Sequence, residues 1–286
     1  MYTYFIRHTE DFGVIEEAVE KLWNENKIAI HFPGVSPSSD VPDSSSINPG
    51  DYKKRSHKSA LSCFRELNEK GGYIWAEYRN KEDIKIGKII PQSFKILKTK
   101  WREYDRTAII KTLQMEQVRV LKSRNAIFLK ACRPIQGTIC RWHNAVGKLD
   151  ALVEGRPFEM KIENLTPSQQ ETVCAEYLRK QHNKMIPVLE HLLLPVGRTL
   201  KDIDIYGFTR SGKELFAQVT NYSFENKGIN EKIQSLLDYS SKETELVLFC
   251  NHENIETKEG YIVIPLSVVE RWLLSNTKFS KFLFNF

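Results

Sequence analysis

Long apolar runs, paired cysteines and a leader-like start are all missing from this chain of 286 residues. No run of about 18 apolar residues occurs, which argues against a membrane-spanning helix. The first residues, MYTYFIRHTEDF, contain neither the basic region nor the apolar core of a secretory signal. The five cysteines form no CxxC pair, so we expect reduced thiols rather than a zinc site or a disulfide framework. We therefore expect a cytoplasmic protein with no membrane partner.

Several motifs of common enzyme classes are absent as well. The chain has no GxxxxGK[ST] phosphate loop, no GxGxxG turn and no GxSxG elbow, and its seven histidines form no HExxH pair. These absences argue against ATP use, dinucleotide binding and α/β-hydrolase chemistry. We expect no nucleotide cofactor.

Positive charge is concentrated in the middle of the chain. Residues 51–150 contain 23 Lys and Arg against 10 Asp and Glu, whereas residues 1–50 contain 3 against 8 and residues 151–286 contain 16 against 18. Such a local excess attracts polyanions, of which nucleic acid is the commonest in the cytoplasm. The alternative is a solvated lysine-rich surface that has no partner.

The length is enough for two domains, and the pattern changes near residue 160. Before that point we predict an α+β domain, residues 1–160, whose closely spaced strands form a small curved sheet or barrel. The predicted strands are 2–7, 28–32, YIWAEYR, KIGKIIP, FKILKTKW, VRVLK, AIFLKAC and GTICRW, with one helix from Asp11 onward and a second at Ser59–Leu67. Residues 33–52, rich in Pro and Ser, are predicted to be a long surface loop.

Residues 161–286 alternate strands with helices, which predicts a mixed α/β sheet covered on both faces. The predicted elements are helix 167–181, strands 202–209 and 214–220 joined by the turn Arg210–Lys213, helix 230–239, strands 245–250 and 261–265, and helix 267–274.

The chemically informative stretch is KDIDIYGFTRSGKELFAQVTNYS, residues 201–223. Asp204 lies on the first strand of the predicted hairpin, and Gln218 and Thr220 lie two residues apart on the second, hence on one face. A carboxylate and an amide oxygen placed together are hard ligands of the kind that Mg²⁺ prefers. Such an ion serves phosphodiester cleavage.

This segment resembles the PD-(D/E)xK nuclease superfamily, and within it the Mrr-like restriction endonucleases, over roughly residues 165–265. The family pattern is a helix bearing Glu, an Asp on a strand, a hairpin, and Q-x-K on the next strand. The corresponding stretches here are QQETVCAEYLR, DIDIYG and AQVTNYS. The resemblance implies that Asp204, Gln218 and Glu171 are metal ligands, with Glu176 the less favoured helical carboxylate.

The resemblance implies a Mg²⁺- or Mn²⁺-dependent endonuclease acting on DNA, in restriction or anti-phage defence. Thr220 stands where the family has its catalytic lysine, and a hydroxyl replaces only part of what that cation does. Lys213 or Lys201 is a candidate to supply the charge from another position. The alternatives are a nuclease-fold protein that binds nucleic acid or a protein partner without cleaving, and an ordinary hairpin with no site.

The N-terminal half contributes aromatic residues beside cations. Trp75, Tyr78, Trp101 and Trp142 lie on or next to lysine- and arginine-rich strands, where rings can stack on bases. The alternative for each ring is that it fills the core of the small barrel. By analogy with fused architectures, this half would be a module that recognises marked DNA. Cutting both strands usually needs two active sites, so a homodimer is expected.

Overall fold

The computed structural model describes residues 2–9, 12–32, 45–103, 105, 107–122, 127–135, 137–156, 161–193, 203–276, 278 and 280. The chain divides into two compact units, Met1–Phe158 and Glu159–Phe284. Each unit is built on its own mixed sheet with flanking helices, so the predicted mixed α/β class is confirmed. None of the helices in the described ranges is long and apolar enough to cross a membrane.

The first unit combines seven described strands with four helices. The strands are β1 (Thr3–His8), β2 (Lys27–Ile30), β3 (Gly72–Tyr78), β4 (Ile84–Ile89), β5 (Lys95–Lys100), β6 (Thr107–Leu121) and β7 (Ile139–Arg141). The helices are α1 (Glu16–Asn24), α2 (Arg55–Lys70), α3 (Ile127–Ala131) and α4 (Lys148–Glu154).

Strand β6 is the reason that this sheet curls into a half-barrel. The strand order is β2-β6-β4-β3-β1-β7, with β5 also paired to β6, and only β1 and β3 run parallel. One extra residue of β6 lies opposite Gly87, and Gln117 there has a positive φ of 50°. Such a bulge bends a strand and increases its twist. A Cβ at Gly87 would lie 2.9 Å from the Glu116 carbonyl, so only glycine fits at this close approach.

A buried histidine joins two strands that are not neighbours in the sheet. Nε2 of His8 at the end of β1 accepts a hydrogen bond from the Ala29 N–H of β2 at 3.0 Å, and Nδ1 contacts the Glu77 carbonyl at 3.0 Å. The Glu77 carbonyl can only accept, so Nδ1 carries the proton and the ring is neutral. Burial lowers the pKa of His8 to about 4. The half-barrel is therefore held across its opening by an imidazole that must stay uncharged.

The second unit has six described strands and three helices. They are α5 (Pro167–Lys180), β8 (Leu189–Leu193), β9 (Ile205–Thr209), β10 (Glu214–Ser223), α6 (Gly228–Leu237), β11 (Thr244–Asn251), β12 (Glu256–Lys258), β13 (Tyr261–Pro265) and α7 (Leu266–Ser275). The strand order is β12-β13-β11-β10-β9-β8, with β10, β11 and β13 mutually parallel.

Helix α5 begins where the sequence predicts. The Thr166 hydroxyl accepts from the Gln169 N–H, the Gln169 side chain accepts from the Thr166 N–H, and Pro167 takes the first helical position. This reciprocal capping box satisfies two otherwise unpaired amides.

The helices cover both faces of the second sheet. Tyr177 of α5 packs edge-on against Phe249 of β11 and Trp272 of α7. Tyr239, just past α6, stacks on Phe216 of β10. Because Val219 pairs with Phe249, and Phe216 is an odd number of residues from Val219, the two groups lie on opposite faces. Helices α5 and α7 thus cover one face and α6 covers the other.

Several sequence-based assignments need correction. Helix α1 begins at Glu16 rather than near Asp11, strands β8 and β12 are absent from the prediction, and three further elements differ. AIFLKAC is not a strand, since Ile127–Ala131 forms the short helix α3. A short apolar run is compatible with both the helical and the strand periodicity, so the pattern does not distinguish them. The strand predicted at VRVLK is the end of the much longer β6. Strand 202–209 is shorter than predicted, since β9 begins at Ile205 and residue 202 lies outside the described residues.

Candidate functional site

Asp204 immediately precedes strand β9, which begins at Ile205. Ile205 pairs with Ala217 across the hairpin, so the next positions along the two strands are Asp204 and Gln218. The Asp204 N–H donates to the Ala217 carbonyl at 3.0 Å, and the Asp204 Oδ2 accepts from the Val219 N–H at 2.8 Å. The carboxylate therefore accepts from a backbone amide of β10, and this hydrogen bond orients the carboxylate.

Helix α5 brings Glu171 close to Asp204. Burial and the negative charge of Asp204 raise the pKa of the half-buried Glu171 carboxyl. The same Asp204, together with Glu171, also acts on the buried thiol of Cys174, whose pKa is raised mainly by burial. The carboxylates of Glu171 and Asp204 thus lie within electrostatic range of each other, and two like charges so placed disfavour ionisation of both.

Gln218 is a buried residue whose side-chain amide lacks hydrogen-bond partners among the described residues. Its side chain is 0% exposed, and neither Oε1 nor Nε2 has a hydrogen-bond partner among the described residues. An unpaired buried amide is costly. Alternation along β10 puts Gln218 on the face of Phe216, which α6 covers, whereas Glu171 belongs to α5 on the other face. Gln218 adjoins Asp204 in register, but it does not share a face with α5.

The two residues that bear on the cation of the family pattern, Thr220 and Lys213, each have a polar partner. The Thr220 hydroxyl is buried and accepts from the Tyr222 N–H at 3.2 Å. Lys213 forms an ion pair with Glu245 at 2.9 Å. Lys213 precedes Gln218 by five strand positions, roughly 16 Å. The Lys213 ammonium is therefore engaged with Glu245 and is distant from Gln218 along the strand, and its assignment as a catalytic cation stays a prediction. Lys201 lies outside the described residues.

Glu176, the second helical carboxylate, contacts Arg179 at 3.4 Å one turn along α5. Its partner is thus a cation on its own helix, whereas Glu171 has Asp204 as its electrostatic neighbour. Cys174 had no place in the sequence-based site. The signal that could have found it is its spacing of three residues from Glu171, which puts both on one side of a helix.

Most of the aromatic residues predicted to stack on bases are core residues. Trp75, Tyr78 and Trp142 are 0%, 3% and 3% exposed. Trp75 and Trp142 pack edge to face at 5.5 Å, and their ring N–H groups donate to the Glu77 carboxylate and the Cys132 carbonyl. Such rings cannot reach a base, so the core-filling alternative describes these three. Trp101 is half-buried and packs edge-on against His31 at 4.6 Å.

The donor set beside α5 suits a hard divalent cation. Asp204 and Glu171 provide carboxylate oxygens. The Gln218 amide lies on the face that α6 covers, so it is not part of this donor set, although its polar atoms lack hydrogen-bond partners among the described residues. Among the described residues, no group of three or more His, Cys, Asp and Glu side chains is placed to hold a metal ion. Two carboxylates by themselves are fewer ligands than a closed structural metal site requires.

Comparisons with known proteins add no relative. No family, no curated protein and no solved structure matches the chain.

Proposed function

We propose that this protein is a metal-dependent endonuclease acting on DNA, with Asp204 and Glu171 as its charged metal ligands. The observation that supports it most directly is that the pKa of Glu171 is raised by burial and, to a smaller extent, by the negative charge of Asp204. The resemblance to Mrr-like nucleases names the same two residues. Restriction or anti-phage defence is the setting that this resemblance implies.

Each residue has a distinct part in the proposed site. The Val219 amide holds the Asp204 carboxylate in one orientation, and Glu171 approaches from helix α5. Mg²⁺ or Mn²⁺, held by these oxygens, would activate water and neutralise charge on the leaving phosphate. Gln218 completes the family pattern on the neighbouring strand. With only two charged ligands, the site would need further oxygen ligands from water or from the scissile phosphate.

A second function has a specific observation in its favour. The Lys213 ammonium pairs with Glu245, and Thr220 occupies the position of the family lysine. A protein that retains the fold but lacks this cation would bind nucleic acid, or a protein partner, without cutting it. The two proposals share the fold and differ only in chemistry.

Cleavage by the wild-type chain tests the choice between them. Plasmid and phage DNA are incubated with Mg²⁺, Mn²⁺ or EDTA and analysed on a gel. We expect nicked and linear products with either metal and intact DNA with EDTA.

The matched pair Glu171→Gln and Glu176→Gln makes the same substitution twice on α5. Glu171→Gln should abolish cleavage, and Glu176→Gln should not. Cleavage that persists in EDTA rejects the metal site, and intact DNA under every condition favours the binding function.

DNA binding is proposed to depend on the basic middle of the chain. Residues 51–150, with 23 basic against 10 acidic side chains, should dominate the affinity. Each neutralised phosphate contributes about −0.9 to the slope of log K against log salt concentration. We expect a steep slope in EDTA, measured by fluorescence anisotropy. Binding that does not change with salt would contradict this part of the proposal.

A further inference from the structure

A cleft of about 570 Å³ opens beside the ends of β1 and β2 in the first unit. Its volume falls in the range of small-molecule sites. Four of the residues that line it carry flat rings: Phe12, His31, Phe32 and His57. None of these residues belonged to the aromatic set that the sequence pointed to.

The rings are arranged as pairs rather than packed at random. Phe32 and His57 are stacked, with centroids 4.4 Å apart and planes inclined by 24°. Phe12 and His31 are 5.2 Å apart, and the His31 Nε2–H donates to the Phe12 carbonyl at 2.7 Å. Phe12 is buried, whereas Phe32 and His57 are half-buried. The Phe32–His57 pair thus borders the open side of the cleft.

The two histidines that line the cleft, His31 and His57, both have a lowered pKa, which favours their neutral forms. Burial, with a smaller contribution from the charges of Lys111 and His57, lowers the pKa of His31 to about 4. Burial and the nearby Lys54 also lower the pKa of His57. The cleft therefore offers neutral aromatic surfaces, on which another flat ring can stack.

Polar and cationic groups surround these surfaces. Thr9 and Thr138 line the same cleft and carry hydroxyls that can both donate and accept. Arg7 also lines it, with its Nε donating to the Gly137 carbonyl at 3.0 Å, and Lys54 lies near His57. Apolar flat walls with a few polar groups and cations at the rim suit a planar heterocycle attached to a phosphate.

We propose that this cleft binds a single nucleobase of DNA, unstacked from its neighbours and inserted beside the Phe32–His57 pair. The inference deepens the proposed function and rests on it in one respect, that the ligand is DNA. Thr9 and Thr138 would contact the edge of the base, and Arg7 and Lys54 its flanking phosphates. A base that leaves the stack exposes its flat faces and its hydrogen-bonding edge to the protein.

The test uses the full chain in EDTA, so that cleavage does not intervene. The probe is a short single-stranded DNA with 2-aminopurine at a central position, whose fluorescence reports whether that base is stacked. We compare His57→Ala and Phe32→Leu with Tyr2→Leu, a variant of an exposed aromatic residue that lies outside the cleft. Circular dichroism checks that each variant is folded.

We expect His57→Ala and Phe32→Leu each to weaken binding on the order of 5- to 150-fold and to abolish the fluorescence change. Tyr2→Leu should bind as the wild type does. Wild-type affinity in both cleft variants overturns the proposal. Preference for a matched RNA strand overturns the assignment to DNA. Saturation by a free nucleoside monophosphate that DNA does not displace overturns it in favour of a small-molecule site.

The two proposals fail separately. Base insertion by a wild-type chain that never cuts DNA leaves the cleft assignment intact and rejects the nuclease. Metal-dependent cleavage with no fluorescence change in any strand supports the nuclease and rejects the cleft assignment.

Discussion

The Asp204 carboxylate accepts a hydrogen bond of 2.8 Å from the backbone N–H of Val219, one residue before strand β9 begins at Ile205. One side chain therefore has a structural part, pairing a backbone amide, and a proposed chemical part as a metal ligand. The two parts can be separated by substitution with asparagine. Its amide oxygen can still accept from the Val219 N–H, but it does not carry the negative charge that a metal ligand would supply.

Asp204→Asn and Asp204→Ala should differ in stability but not in activity. Alanine removes the acceptor of the Val219 N–H, at a cost of about 1.5–3 kcal/mol in the free energy of unfolding. Asparagine retains an acceptor oxygen and should cost less. Both should abolish cleavage. Urea unfolding and the gel assay measure the two effects, and an active Asp204→Asn variant would remove Asp204 from the metal site.

Glu171→Gln should stabilise the metal-free protein at neutral pH. The folded-state pKa of Glu171 is raised, so the folded state binds the proton more tightly than the unfolded state does. Stability is therefore lost as pH rises through the window from 4.5 to that higher pKa, and ionised Glu171 costs stability above it. The variant should lack this pH dependence.

Thermal unfolding across about pH 4 to 8, with and without Mn²⁺, measures the effect. In the wild type, stabilisation by Mn²⁺ should grow with pH as Glu171 ionises. Glu176→Gln, with the same change of charge on the same helix, is the control. An equal gain in both variants would mean that the helix, and not Asp204, is responsible.

Thr220→Lys tests whether the missing cation limits cleavage. We expect higher cleavage activity together with lower stability, because the buried threonine hydroxyl that accepts from Tyr222 is lost and a charge is introduced. Lys213→Ala should leave cleavage unchanged, since Lys213 pairs with Glu245. Initial rates on plasmid DNA decide both points. Loss of activity in Lys213→Ala would support that lysine as the cation of the site.

Acid should unfold the first unit through the buried His8 and the half-buried His31. The pKa values of His8 and His31 are lowered from 6.5 to about 4, so only the unfolded state takes up their protons between these values. Their stabilising contribution is present above pH 6.5 and is lost as pH falls toward 4. His8→Gln can still donate to Glu77 and accept from Ala29 but cannot titrate.

The free energy of unfolding of His8→Gln, followed by urea titration at several pH values, should therefore fall less steeply with acid than that of the wild type. The same slope in both proteins would show that His8 does not contribute to acid sensitivity.

Local patterns accounted for much of the second unit. The turn at Arg210–Lys213 and its two strands follow from alternation and turn chemistry, and Thr166 and Pro167 predict the start of α5. These signals act between residues a few positions apart, which is why the sequence reveals them. The failure at Ile127–Ala131 has the same origin, because a short apolar run carries too few residues to distinguish the two periods.

The sequence by itself determined which residues are close along the chain: the hairpin that makes Asp204 and Gln218 neighbours in register, and the cap that begins α5. Only the tertiary structure decided which distant side chains meet. It buried Trp75 and Trp142 in the core, paired Lys213 with Glu245, and brought Glu171 to Asp204. The physical reason is that periodicity specifies the faces of an element, whereas packing specifies what covers each face. Both faces of these sheets are covered. The alternation of apolar and polar residues along a strand therefore could not distinguish an aromatic ring that fills the core from one that contacts a ligand.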